Sequence, residues 1–319
     1  MDIIINIVGK GELLMAIRII SDTSCDLTQE LIEKYQLVIL PLCILDDERE
    51  YVDTVDITAD EIYENMRQGK MYKTAQLSPM AIQEAFISVA EAGDDAIFLP
   101  LSSGISGTYN TACIIAQDVM EKYPNSHIEV WDSKGTTGGL GILILETAKD
   151  VAAGKSMKEI LDRLKFNTYH TQYLFTVDDI EYLHRGGRVN GIEKVLGSLL
   201  QIKPVLHVDR EGRLAPVAKV RGRQKSFAKL VELMGERMAD VNFLKEQTVF
   251  ITHGAVLEEA NQLKEMICKA YGVENFYIHT LSATVGAHTG PGLMSVYFLD
   301  QKYSGMGDGE HLSTEEIRK

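Results

Sequence analysis

The sequence is poor in the residues that mark several protein classes. It has one Trp and seven Pro in 319 residues, and no stretch in which Pro, Gly or Ser accumulates into a linker or low-complexity segment. The four cysteines, Cys25, Cys43, Cys113 and Cys268, stand far apart with no CxxC pair. That excludes a zinc knuckle or disulfide framework and fits a reducing, cytoplasmic setting. Positive charge is the scarcer sign, with 32 Lys and Arg against 46 Asp and Glu, a net −14. Such a surface repels phosphate backbones and anionic lipid heads, so neither nucleic acid nor stable membrane insertion is expected. Long apolar runs are missing too. Met1–Leu14 carries an Ile-Ile-Ile-Asn-Ile-Val run but is broken by Lys10 and Glu12, too short to span a bilayer and without the basic start or cleavage site of a secretion signal. Residues 1–15 read as an N-terminal extension, with Met15, directly before Ala-Ile-Arg-Ile-Ile, as an alternative start.

What is present is enough apolar material for a sizeable core: 45% hydrophobic and 24% charged residues,. Short β-branched runs alternate with amphipathic stretches, the pattern of βαβ units. Ile17–Ile20 and Val38–Leu42 read as buried strands around a helix Gln29–Tyr35 capped by Thr28,. After a polar region, Ser78-Pro79 opens a helix whose Ile82, Phe86 and Val89 share a face,. Ala96–Leu101 and His127–Asp132 are expected strands, and Tyr109–Tyr123, Gly138–Ala153 and Met157–Asn167 expected helices. From residue 168 the texture changes to strands at Tyr173–Val177, Ile202–Val208, Leu214–Val220, Val249–His253, Phe276–Leu281 and Ser295–Leu299. The expectation is a two-lobed α/β protein: an N-terminal lobe over 16–167 built on a mainly parallel sheet with flanking helices, a C-terminal mixed α/β lobe over 168–303, and a flexible tail over 304–319,.

Four segments carry chemistry. Leu99-Pro100-Leu101-Ser102-Ser103-Gly104-Ile105-Ser106-Gly107-Thr108 runs from a strand through a hydroxyl-rich loop into a helix. Glycines that admit close approach, hydroxyl donors and free N–H groups make it a cradle for a carboxylate or phosphate; a plain capped turn is the simpler alternative. It lacks the lysine of a Walker A loop and the GxSxG of a nucleophile elbow,. Val285-Gly286-Ala287-His288-Thr289-Gly290-Pro291-Gly292 reads as a tight loop holding His288, a hydrogen-bond donor or base near neutral pH,. Lys73-Thr74-Ala75-Gln76-Leu77-Ser78-Pro79 reads as a third hydroxyl-bearing loop, offering Thr74 ahead of the Ser78-Pro79 helix start. Asp22 and Asp26 follow the first strand, but with no DxD spacing or histidine cluster they read as turn and capping residues, and no metal site is expected,. Finally, His184–Lys225 carries ten Arg and Lys against Glu193, Asp209 and Glu211, a net +7 on an acidic protein, suited to steering an acidic or phosphate-bearing partner.

Taken in order, Ser21-Asp22-Thr23-Ser24-Cys25-Asp26-Leu27, Lys73-Thr74-Ala75-Gln76, Ser102–Thr108, Asp132-Ser133-Lys134, Asp178–Arg188 (which ends His184-Arg185-Gly186-Gly187-Arg188), Lys203-Pro204-Val205-Leu206, Val220-Arg221-Gly222-Arg223 and Gly286–Gly292 resemble the DegV family. That family includes the fatty-acid-binding subunits of bacterial fatty acid kinase, and the likeness runs from about Ile17 to Leu299. The resemblance implies a two-lobed DegV-like fold enclosing one long-chain fatty acid. Thr74, Ser102, Ser103, Gly104 and His288 would bind its carboxyl, and Arg188 and Arg221 would lie where the family meets its ATP-dependent kinase. It implies no cofactor, a non-enzymatic subunit that presents the carboxyl for acyl-phosphate formation in phospholipid metabolism, and an acyltransferase as a further partner. The sequence departs from the family at Ala75-Gln76-Leu77-Ser78-Pro79, where Ser-Gln-Pro commonly follows the threonine. The rival from the residues alone is a serine hydrolase or esterase using Ser102, Ser103 or Ser106, with His288 as base and Asp22 or Asp26 to orient it,.

Overall fold

A computed structural model describes residues 16–188 and 202–305. The expected extension 1–15, nearly all of the expected tail, and Glu193 and Lys194 of the basic segment lie outside the described residues.

The chain opens as one βαβ unit. β1 (Ile17–Asp22) leads through a 3-10 turn at Thr23–Cys25 into α1 (Gln29–Lys34), and β2 (Val38–Leu40) returns parallel to β1. β2 is the sheet edge and is only partly buried, with Val38 37% exposed, where a buried strand was expected, because only β1 flanks it. β3 (Cys43–Leu45), β4 (Glu50–Val52) and β5 (Lys73–Ala75) form a small antiparallel sheet in the order β4-β3-β5, with α2 (Ala59–Arg67) inserted before β5. α2 starts on a reciprocal capping box between Thr58 and Glu61,. The region read as merely polar is therefore structured.

α3 (Pro79–Ala92) buries Ile82, Phe86 and Val89, and Gly93, left-handed at φ 74°, ends it,. β6 (Asp95–Leu99), α4 (Thr108–Lys122) and β7 (Ile128–Val130) complete a parallel sheet in the order β2-β1-β6-β7. Next come α5 (Thr137–Ala152) and α6 (Met157–His170). The second sheet has the order β10-β9-β8-β13-β11-β12, with β8 (Thr171–Thr176), β9 (Ile202–Val208), β10 (Leu214–Arg221), β11 (Val249–His253), β12 (Phe276–Thr280) and β13 (Met294–Leu299). All its neighbours are antiparallel except β11 and β12. Between these strands lie α7 (Glu181–Arg185), α8 (Arg223–Arg237), α9 (Leu257–Tyr271) and α10 (Ala283–Thr289).

α5 is the joint. It packs on β1 of the parallel sheet and on β8, β11 and β13 of the mixed one. Its glycines permit this, since a Cβ at Gly138 would fall 2.7 Å from the Tyr297 ring and one at Gly141 2.7 Å from the Cys25 carbonyl,. Accordingly one apolar cluster holds Ile19, Leu140, Tyr173, Phe250 and Tyr297 together. The helix expected near 157 runs on to His170, so a boundary at 167 falls in its last turn.

The histidine loop expected at 285–292 is a correction: His288 lies on α10. Gly286, which reads as a turn residue, sits mid-helix because a Cβ there would lie 2.5 Å from the Tyr63 hydroxyl. Only Gly290, at φ 76°, ends the helix.

Candidate functional site

The polar centre of the site is a pair contributed by segments 214 residues apart: Thr74 Oγ1 lies 2.6 Å from His288 Nε2. Thr74 is on β5, opposite Ile44 of β3. The imidazole is wedged by Gly186 at the end of α7, where a Cβ would fall 2.3 Å from His288 Nδ1. Nδ1 is buried without a hydrogen-bond partner. Burial and then the Arg188 guanidinium push the imidazole down to about 4, so it is neutral at neutral pH and presents one donor and one acceptor. Arg188 is itself tied back, its Nη1 donating to the Gly186 carbonyl at 2.7 Å.

α10 is held from behind by buried carboxyls. Asp53 Oδ2 accepts from Thr284 Oγ1 at 2.6 Å and Thr23 Oγ1 at 2.9 Å, and Asp26 Oδ1 accepts from the Ser282 N–H at 2.9 Å. Burial raises both carboxyls, Asp26 up to about 8. Asp22 meets its expected structural role: it accepts from Ser24 N–H at 3.0 Å and Leu101 N–H at 2.8 Å.

Thr74, Arg188 and His288 line a cavity of about 230 Å³ measured at the centres of water-sized spheres, well beyond the ~10–15 Å³ that one water needs. The rest of its surface is mostly apolar, with Leu42, Phe175, Leu183, Val285 and Leu293 among the lining residues and Tyr173 and Tyr297 further along. It runs along β8 and β13, whose register pairs Tyr173 with Tyr297. The strand from Leu293 to Tyr297 advances by ~13 Å at ~3.3 Å per residue. A slot that is mostly apolar over this length, with Thr136 and Thr137 on its lining and Thr137 bonded to Tyr297, but with its imidazole and guanidinium groups gathered at Thr74, His288 and Arg188, suits an amphiphile with a single acidic head,.

The serine loop is placed differently from the expectation. It reaches the cavity through Leu101, Ile105, Ser106 and Gly107. Ser102 Oγ donates to the Gly212 carbonyl at 2.9 Å and accepts from Gly104 N–H at 3.1 Å. Ser103 Oγ donates to Asp132, and Ser103 N–H bonds the same carboxylate at 3.1 Å. A Cβ at Gly104 would meet the Gly212 carbonyl at 2.5 Å. Ser102, Ser103 and Gly104 thus face the β9–β10 turn and Asp132, not the cavity lining. The hydrolase reading gains no support from this placement: His288 Nε2 pairs with Thr74, and the hydroxyls of Ser102, Ser103 and Ser106 bond Gly212, Asp132 and Thr108 instead. No nucleophile–base pair forms among them.

The basic segment is partly neutralised from outside its own span. Arg185 pairs with Glu181, Lys203 with Asp178 and Arg223 with Glu259. Arg221, at the end of β10, is exposed, whereas Arg188 belongs to the cavity. Sequence reasoning missed Asp53 and Thr284, for which no local signal exists, and Tyr173 and Tyr297, which read only as strand residues.

Residues 16–301 match the family model described as uncharacterised protein, DegV family. The chain belongs to the DegV family. A DegV domain-containing protein of Clostridium perfringens is 35% identical over 283 residues, 88% of this chain and 96% of the relative. One from Lactococcus lactis is 32% identical across 90% of this chain and 99% of its own. Among solved structures, DegV of Bacillus subtilis, a fatty acid binding protein, superposes with a TM-score of 0.80 at 26% identity, covering 90% of this chain and all of that one. A stearic acid-binding protein from Eubacterium ventriosum gives 0.81 at 27% identity, covering 89% and 98%. The α/β architecture, with its parallel sheet and its larger mixed sheet, is the DegV fold. Among the described residues no helix is long and apolar enough to cross a membrane, and no group of three or more His, Cys, Asp or Glu could hold a metal ion.

Proposed function

We propose that this DegV protein holds one long-chain fatty acid in the cavity along β8 and β13 and presents its carboxyl to a separate ATP-dependent kinase. The observation that carries the reading is the apolar slot ending at the Thr74–His288 pair beside Arg188. Support comes from fatty-acid-binding relatives of the same fold above 25% identity.

With the imidazole neutral, His288 Nε2–H donates to Thr74 Oγ1, which frees the Thr74 hydroxyl proton for a carboxylate oxygen. Arg188 supplies the countercharge, and Ser106 and Gly107 close the same end of the slot. Ser102, Ser103 and Gly104 act from behind by fixing the loop against Gly212 and Asp132. At ~0.8 kcal/mol per buried CH₂, a tail of some fifteen methylenes gains on the order of 12 kcal/mol before ordering costs. Retention is therefore the work of the tail, and orientation that of the head. The chain's part in the chemistry is to hold one carboxylate oxygen toward the partner. That oxygen attacks the γ-phosphorus, the new C–O–P linkage forms, the bond to ADP breaks, and no proton is transferred. Arg221, exposed on β10, belongs in this reading to the kinase-facing surface, and Arg188 to the cavity. An acyltransferase would take the acyl group onward, and the protein would do no chemistry alone.

Extraction of the purified protein followed by mass spectrometry tests the reading. One fatty acid per chain is expected; protein that arrives empty and fails to take up added oleate overturns it.

A further inference from the structure

The cavity along β8 and β13 shares a wall with a second, very different space. On the far side lies an open polar cleft of about 860 Å³ by the same measure, with Lys134, His207, Arg237 and Asp300 on its sides. Tyr173 and Val208 line both spaces, so at this point the apolar slot and the polar cleft are separated by those two side chains.

The wall is rigid by construction. Tyr173 is 97% buried. On one side its ring is seated in a notch of α5 and the turn before it, where a Cβ at Gly139 would fall 2.0 Å from the ring and one at Gly135 2.0 Å from the hydroxyl. On the other side it meets the Tyr297 ring edge-on, with centroids 5.8 Å apart at 79°. Tyr297 is fixed in turn by Ser295 Oγ at 2.8 Å and by Thr137. A ring held on both faces cannot swing aside for an incoming chain without disturbing α5 or β13. It stands at the Tyr297 level of the slot, about four strand residues along β13 from Leu293.

We propose that Tyr173, backed by Val208, is the stop that sets the longest acyl chain the cavity accepts. The proposal rests on the fatty-acid reading above and adds to it a position where chain length is read. A tail longer than the slot must either leave its head short of Thr74 and His288 or push into the more open, more polar cleft, where its methylenes stay partly in water and gain less,. Removing the ring joins the two spaces, and the slot then loses its upper limit.

The test compares wild type, Tyr173→Ala, Tyr173→Phe and Val208→Ala, each stripped of lipid and offered an equimolar ladder of saturated fatty acids from dodecanoic to docosanoic acid. Retained chains are identified by mass spectrometry. Tyr173→Ala is expected to raise the retained share of chains longer than the wild-type maximum several-fold, Val208→Ala to do so less, and Tyr173→Phe to reproduce the wild-type profile. A Tyr173→Ala profile that matches wild type overturns the proposal. If Tyr173→Ala does not accumulate as folded protein, Tyr173→Leu and Val208→Ala carry the same test, and unchanged profiles in both overturn it. A wild-type protein that retains no chain of any length overturns the fatty-acid reading itself, an outcome distinct from an unmoved limit.

Discussion

The two ends of the slot are built on opposite principles. At the mouth, Thr74, His288 and Arg188 come from β5, α10 and the segment after α7 and are held by hydrogen bonds. At the closed end, Tyr173 and Tyr297 are register partners on adjacent strands, and Tyr173 is held by packing against glycine backbone. The mouth keeps hydrogen-bonding capacity unsatisfied beside a positive charge, with one imidazole nitrogen unpartnered. At the closed end the Tyr173 hydroxyl is also buried without a partner, but it is packed against Gly135 in the turn before α5. A polar group awaiting a ligand and a rigid apolar stop should therefore answer mutation differently, the first in affinity and the second in selectivity.

The largest effect should come from the mouth. A hydrogen bond to a charged group contributes ~1.5–3 kcal/mol, and His288 is what aims the Thr74 hydroxyl at the carboxylate, so His288→Ala should weaken retention of oleate about tenfold to a hundredfold. Gly186→Ala should reproduce much of this loss without touching a polar atom, because the added methyl would overlap His288 Nδ1. Titration of delipidated protein with fluorescent fatty acid measures both. Gly186→Ala binding as tightly as wild type would mean the imidazole has freedom that the packing denies.

Acid should act through the same group. A histidine pushed from 6.5 to about 4 in the folded state binds fewer protons folded than unfolded between those values, so its contribution is whole above pH 6.5 and is lost as pH falls toward 4. Asp26, raised to about 8, works in the opposite direction over pH 8 to 3.8, so the bare acid profile mixes the two. Comparing wild type with His288→Gln isolates the histidine. From pH 7 to 4.5 wild type should lose about 2 kcal/mol more stability than the variant. Parallel urea-melt profiles would contradict a buried neutral imidazole.

A third contrast sets the mouth against the partner surface. Arg221→Ala should leave fatty acid retention unchanged while slowing phosphoryl transfer by a cognate kinase several-fold, most at low salt, as expected for an exposed steering charge. Loss of lipid in Arg221→Ala would place that residue at the slot.

How far the sequence could be read follows the same division. The strands and helices of the two large sheets were legible because runs such as Ile202–Val208 and Val249–His253 are long and bounded by turn residues. β3, β4 and β5 were not, since three-residue strands carry no periodicity and exist only through pairing with one another,. Glycines at 286, 290 and 292 pointed to a loop at His288 because a glycine that makes room for a distant tyrosine looks, in sequence, like a glycine that makes a turn. Motif resemblance names Thr74 and His288 one by one; it does not say that they touch, nor that Ser102 and Ser103 turn away, which depends on Gly212 and Asp132 arriving from elsewhere. Tyr173 carried no signal at all, because its role needs two cavities to be visible.

The smallest effect discriminates most finely, because it compares two tyrosines facing each other across one pair of strands. Tyr297 Oη has partners in Ser295, Thr137 and Thr252, so Tyr297→Phe leaves buried hydroxyls unmatched and should cost about 1–2 kcal/mol. Tyr173 Oη is buried with no partner, so Tyr173→Phe removes a polar atom already desolvated without return and should stabilise by up to about 1 kcal/mol, a rise in Tm of roughly 2 °C. The sign is the point: the same chemical change on neighbouring strands should move stability in opposite directions. If thermal melts of lipid-free protein show Tyr173→Phe destabilised like Tyr297→Phe, the Tyr173 hydroxyl has a buried water as partner, and the closed end is polar where packing alone describes it as dry.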